Sequence, residues 1–244
     1  MAKLSPVKHV ENATLYQDQD GNPYIRIDAV RASYPYLGTP SEDENDNGDK
    51  TKKWRIVGML PKKTHGEAKE LVVEIIQRLM KEAGASVPKD RWFIKNGDDS
   101  DDENMHGHWL IAASDGKYRP KCRDENGQVI DDITEIDDTF YGGCWVNLLI
   151  RPWYFDGKSR NSKKPLPKRL CAGINSVVFV KDDKPFGAGR VDDDDVWGTG
   201  DSGAFDDDDD RPRNRRRRDD DDDDDRSSRR RRSRDDDDDD DHGL

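Results

Sequence analysis

The sequence predicts a mainly β domain, an antiparallel barrel or sandwich with one amphipathic helix, followed by a disordered Asp/Arg-rich tail. Three observations carry this. Five or more segments alternate apolar and polar residues with a period of two, and turn signals separate them. A single segment repeats apolar residues at helical spacing. After residue 190 the chain is almost purely Asp and Arg. Short strands spaced this way favour a closed or half-closed barrel or a sandwich over a parallel sheet.

The 244-residue chain has a net charge of -12 and is only 31% hydrophobic, too little for a uniformly globular protein. Two unlike pieces explain the average. Residues 191–244 hold 24 Asp, no Glu and 12 Arg, which accounts for the whole net charge. Residues 1–190 balance at 30 basic and 30 acidic side chains. A neutral domain of that length can bury a sizeable core and still carry a basic groove. Cys122, Cys144 and Cys171 are dispersed, with no Cys-x-x-Cys, which predicts a reducing compartment and no disulfide framework. No apolar run reaches the roughly 18 residues of a membrane span. Met1 to Val10 lacks the apolar core of a signal peptide. A protein of the cytoplasm is expected.

Taken in order, Val10 to Tyr16 reads as a short edge strand, and Tyr24 to Ser33 as a firmer one with Ile25, Ile27 and Ala29 on one face. Tyr34 to Ser41 contains two prolines and a glycine and leads into acidic residues 42–49, so a solvated loop is expected. Tyr34 and Tyr36 there either stack on a ligand or cover the open end of a barrel. Lys52 to Pro61 is a strand with Trp54, Ile56 and Leu60 on one face, and Lys62 and Lys63 follow it. Thr64 and Glu67 match a capping box. The helix behind them shows an apolar stripe from Ala68 through Leu71, Val72, Ile75, Ile76, Leu79 and Met80 to Ala83. Its reading is a core face.

Trp92 to Gly97 and His108 to Ser114 are further strands. Lys117, Arg119, Lys121 and Arg123 fall on one face of an extended segment, which Pro120 makes an edge strand or an irregular arm. Asn126-Gly127 then suits a hairpin turn. Asp131 to Asp138 is acidic. The clearest alternation runs from Gly142 to Phe155. One face reads Cys144, Val146, Leu148, Ile150; the other reads Trp145, Asn147, Leu149, Arg151, Trp153. Aromatics mixed with a guanidinium suit bases and phosphates. The alternative is that Trp145 and Trp153 pack beneath a neighbouring element. A basic loop, Lys158 to Arg169, and a last strand, Leu170 to Lys181, complete the domain.

No Walker loop or Gly-x-Gly-x-x-Gly occurs. His106, His108 and Cys122 lack metal-ligand spacing. Paired carboxylates lie in acidic runs that offer no rigid geometry. No enzyme, cofactor or metal is expected.

The order of segments resembles a family of phage single-stranded-DNA-binding proteins long catalogued as a domain of unknown function. The resemblance is carried by Lys52-Lys-Trp-Arg-Ile-Val-Gly-Met-Leu-Pro-Lys-Lys, the helix after it, Phe140-Tyr-Gly-Gly-Cys-Trp-Val-Asn, Ala172-Gly-Ile-Asn-Ser-Val-Val-Phe-Val and Lys184-Pro-Phe-Gly-Ala-Gly. It covers roughly residues 5–190. It implies an oligonucleotide-binding barrel (OB-fold), sequence-independent binding of single strands and a role in phage replication or recombination inside the host cell. It also implies an acidic tail that competes with DNA and recruits polymerase, helicase or nuclease. This tail departs in its Arg blocks and in ending His242-Gly243-Leu244 without a terminal aromatic.

The expected arrangement is a binding domain over residues 1–190 and a disordered acidic tail over 191–244. Bases would stack on Trp54, Tyr118, Trp145, Trp153 and Tyr154. Phosphates would meet Arg55, Lys62, Lys63, Lys117, Arg119, Lys121, Arg151, Lys163 and Lys164. The Arg blocks would touch DNA or promote self-association. The competing reading is an acidic scaffold or chaperone that acts through its tail on basic partners. A third is an RNA-binding module, since 2′-hydroxyl contacts are not legible in a sequence.

Overall fold

The computed structural model describes residues 3–44, 50–158 and 165–186. The chain divides between Val191 and Asp192 into two units, and every described residue belongs to the first. The expected disordered tail lies outside the described residues, as do Lys163 and Lys164.

Strands β1 (Ser5–Val10) and β2 (Ala13–Gln17) form a hairpin through Asn12, whose φ of 58° suits the left-handed turn that Asn tolerates. β2 pairs with the long β3 (Pro23–Glu44). β3 also pairs with β4 (Lys50–Pro61) and with β9 (Trp145–Phe155). On the β4 side the sheet continues through β6 (His108–Asp115) to β5 (Ile94–Asn96). On the β9 side it continues through β10 (Arg169–Lys181) to β7 (Lys121–Arg123) and β8 (Val129–Ile130). All pairs are antiparallel except β7 with β10. The sheet curls so that β10 packs against β6, but it does not close. The mainly β, OB-like architecture is thus present as an open barrel.

Sequence alternation dictates which side is core. Cys144, Val146, Leu148 and Ile150 are all fully buried, as the period-two pattern requires. Helix α1 (Gly66–Glu82) buries Ala68, Leu71, Val72, Ile75 and Ile76 and packs on β9, β2 and β3. Each of the larger side chains contributes roughly 1.5–3 kcal/mol by leaving water. Leu79 and Met80 are half-buried and Ala83 is exposed, because the stripe outruns the sheet it covers.

Four expectations are corrected. No capping box forms: His65 is the N-cap, without a side-chain cap bond. The Glu67 carboxylate accepts instead from the Glu11 N–H at 3.0 Å and ties the helix to the first hairpin. Tyr34 to Ser41 is not a loop but the irregular middle of β3, and residues beyond it pair with β4 up to Glu44↔Lys50. The acidic stretch 131–138 supplies the reason. It contains a second helix, α2 (Ile133–Thr139), N-capped by the Asp132 side chain, where only one helix was expected. Asp137 Oδ1 accepts from the Gly38 and Thr39 N–H groups, each at 3.1 Å, and so satisfies the backbone that the bulge removes from the ladder. A Cβ on Gly38 would stand 2.6 Å from that oxygen. Finally, Lys117 to Arg123 is not one extended stripe. Asp115 Oδ1 accepts from the N–H groups of Lys117 (2.7 Å) and Tyr118 (2.8 Å), which bends the chain before β7 begins. Paired on both sides, β7 is an interior strand rather than an edge.

Candidate nucleic-acid interface

The outward row of β9 ends in Arg151, Trp153 and Phe155, alternating with buried Ile150 and Pro152. Cross-strand register sets their neighbours. Gly173, Cys171 and Arg169 of β10 lie opposite them in that order. Ile25 opposite Ile150 brings Tyr24 beside Arg151, whose guanidinium carbon is 6.0 Å from the Tyr24 ring centre. Gly173 offers no side chain, so the sheet there is a floor. The bend after β6 forms the opposite wall. Tyr24, Asp115, Gly116, Tyr118, Arg119, Lys121, Arg151 and Trp153 enclose a hollow of about 780 Å³.

Trp153 is 41% exposed and Tyr118 63% exposed, both on this hollow. Trp153 is propped edge-on by Phe155, with ring centres 6.0 Å apart, and Arg169 lies over Phe155 at 4.9 Å. Arg119 donates from its guanidinium to the Asp131 carbonyl at 3.2 Å, which holds that group at the rim. Arg151 enters no ion pair among the described residues. Among the described residues, Asp115 is the only acid lining this hollow, and its Oδ1 accepts from two backbone N–H groups.

The hollow runs on past Ser114, Gly116 and Trp153 into a second one lined by Lys53, Arg91, Lys95, Phe155, Arg169 and Cys171, among others. From Lys53 and Ser114 it reaches a third, bounded by Arg55 and Tyr34. A continuous track of cations and flat rings therefore crosses the open side of the sheet. Such a track suits a single-stranded polyanion with stacking bases. Burial pushes the Cys171 thiol up, and raises Cys122 to about 12 and Cys144 to about 11, so none is a ready nucleophile.

Of the expected site residues, Tyr118, Arg119, Lys121, Arg151 and Trp153 meet at the first hollow, and Arg55 borders the third. Lys117 is exposed beside it, its Nζ 4.8 Å from the Tyr118 ring centre. Tyr154 lies at a neighbouring depression with Asp20 and Arg78. The others are placed apart. Trp54 donates its indole N–H to the Gly38 carbonyl at 3.2 Å and braces the β3 bulge. Lys62 pairs with Asp98 and Asn96 at the far end of β4, and Lys63 is in the turn after it. Trp145 donates to Asp183 at 2.7 Å. Tyr24, Lys53, Arg91, Lys95 and Arg169 line the track although sequence reasoning omitted them. Tyr24 carries a signal that could have revealed it, since it alternates with Ile25 and Ile27 on a firm strand, and so does Lys53, which shares a strand face with Arg55.

The family model described as "Enterobacter phage Enc34, ssDNA-binding protein" matches residues 24–210. The chain belongs to the Enc34 single-stranded-DNA-binding protein family. The solved single-stranded DNA-binding protein from bacteriophage Enc34 is 35% identical, at a TM-score of 0.64, over 80% of this chain and 99% of that one. The same protein solved in complex with ssDNA matches at 35% identity and a TM-score of 0.66, over 76% of this chain and 99% of that one. No curated protein matches the chain. The Enc34 family is one of DNA-binding proteins rather than enzymes. Among the described residues, no helix is long and apolar enough to cross a membrane.

Proposed function

We propose that this member of the Enc34 family binds single-stranded DNA without sequence readout along the open face of its sheet. Bases stack on Trp153 and Tyr118. Phosphates meet Arg151, Arg119 and Lys121, then Lys53 and Arg169 as the strand continues. The observation that carries the reading is Trp153. A tryptophan left 41% exposed on a sheet face, beside an arginine that forms no ion pair among the described residues and that faces Gly173, is a platform awaiting a flat partner. Residues 1–190 act as the binding domain. The charge blocks of residues 191–244 support a role as a polyanion that competes for the same cations and recruits replication or recombination proteins of a phage in the host cytoplasm. Their Arg blocks support self-association through the Asp blocks of a second copy.

The test is anisotropy of a labelled single-stranded oligonucleotide, titrated with the full chain and with a chain ended at Arg190, at two salt concentrations and against a duplex. Salt-sensitive binding that strengthens on truncation is expected, because counterions are released from each neutralised phosphate. Failure of the shortened chain to bind would transfer the function to the tail and favour an acidic scaffold for basic partners.

A further inference from the structure

At the far end of the track, beyond Arg55, lies a feature that non-specific binding leaves unexplained. Tyr34 has a φ of 47°. A bulky residue in the left-handed region costs roughly 1–2 kcal/mol and persists only where surrounding structure enforces it. Here the backbone irregularity of β3 between Ser33 and Tyr36 enforces it, and the ring is 54% exposed. It forms a wall between two hollows of different chemistry. On one side are the cations Lys53 and Arg55, with the Arg55 guanidinium stacked 4.9 Å from the Tyr36 ring centre. On the other is a hollow of about 430 Å³ lined by Tyr34, Tyr36, Phe186, Asp102 and Asn104. Asp102 is half-buried, and its Oδ1 accepts from both the backbone (3.0 Å) and side-chain (2.9 Å) nitrogens of Asn104. Those bonds leave Oδ2 aside.

We propose that this hollow is a nucleobase subsite that favours bases with an amino edge, and cytosine over thymine among pyrimidines. The inference rests on the DNA-binding reading above and adds a preference to it. A carboxylate repels a phosphate, so the backbone stays on the Lys53 and Arg55 side of Tyr34. The base crosses to the aromatic side and is held between Tyr34, Tyr36 and Phe186. At its edge Asp102 accepts from the cytosine N4 amino group, the donor that carboxylates read in nucleic acids. Thymine presents O4 at that position, and two carbonyl oxygens flank its single N–H. The carboxylate therefore meets acceptors where it needs a donor.

The experiment compares labelled oligo-dC and oligo-dT of equal length, titrated with the full chain and its Tyr34→Ala and Asp102→Asn variants. Thermal melts verify that each variant is folded. The wild type should bind oligo-dC about fivefold tighter than oligo-dT, the low end of one base-edge contact. Asp102→Asn keeps an acceptor for the Asn104 N–H and should abolish the preference without weakening oligo-dT binding. Tyr34→Ala, which keeps a Cβ on the same left-handed backbone and so adds no new strain, should weaken oligo-dC more than oligo-dT. Equal wild-type affinity for the two oligonucleotides, or a preference that survives in Asp102→Asn, overturns the subsite and leaves the general binding reading intact. Absence of binding to either oligonucleotide overturns both.

Discussion

The outward row of β9 carries a tryptophan near each end, and an arginine accompanies each, yet the two ends have opposite fates. At the Trp145 end the protein satisfies everything itself. The indole N–H meets Asp183, and the Arg31 guanidinium donates to the carbonyls of Gly143 (3.1 Å) and Lys184 (2.9 Å) and lies 4.4 Å from the Phe186 ring centre. Tyr141 adds a bond to Asp182 at 2.9 Å. The segment leaving β10 is thereby strapped across the strand. At the Trp153 end the facing residues are Cys171 and Gly173, and neither supplies an acid. An aromatic beside a cation is therefore no site in itself. It becomes a candidate where the fold withholds the anionic or carbonyl partner that would neutralise it.

The strongest way to break that contrast is to force the strap open. Gly143 has a φ of 116°, and a Cβ there would stand 2.5 Å from the Lys184 carbonyl oxygen. Gly143→Ala should cost about 3 kcal/mol of stability from backbone strain plus displacement of the strap. A thermal melt reads it, and an unchanged Tm would show that the strap is incidental. The mirror experiment is Trp153→Ala. It should lower single-strand affinity by about 1–3 kcal/mol, up to roughly a hundredfold, with little change in Tm because the ring is largely outside the core. If Trp153→Ala lost stability instead of affinity, the two ends would be alike and the site assignment would fail.

Period-two alternation was enough to place β9, its buried row and the helix stripe, because burial repeats with the geometry of the backbone. It could not separate Trp145 from Trp153. That distinction depends on Asp182 and Asp183, which lie almost forty residues away in sequence. For the same reason the pairing of Lys62 with Asp98 was not legible beside the strand it follows. The β3 bulge was illegible for a related cause. Pro35, Gly38 and Pro40 signal irregular backbone, and only the side chain of Asp137, from an unrecognised helix, shows how that backbone remains in a sheet. Local pattern gives faces, whereas the pairing of charges is a property of tertiary contacts.

Arg151 sharpens the open end of the comparison. Replacing it with Gln removes one cation that forms no ion pair among the described residues, so one phosphate contact should be lost. The slope of log affinity against log salt should then become shallower by about 0.7, the value for one contact on a single strand. An unchanged slope would mean that Arg151 only orients Tyr24.

The smallest expected effect is at the closed end, and its pH dependence is the informative part. Trp145→Phe keeps the ring between Arg31 and Lys181 but removes the N–H donated to Asp183. The Asp183 carboxyl is held below its ordinary 3.8, first by the Lys184 backbone N–H, then by that indole and by the charges of Arg31 and Lys181. A depressed folded-state value means stability that is present above the unfolded value and lost as pH falls through the folded one. The Tm difference between wild type and Trp145→Phe should therefore be small and constant near neutrality. It should shrink only below about pH 4, where the carboxylate takes up its proton. Single-strand affinity at neutral pH should be the same for both proteins. A difference that persisted into acid would show that the indole stabilises the strap by packing and that Asp183 is a bystander.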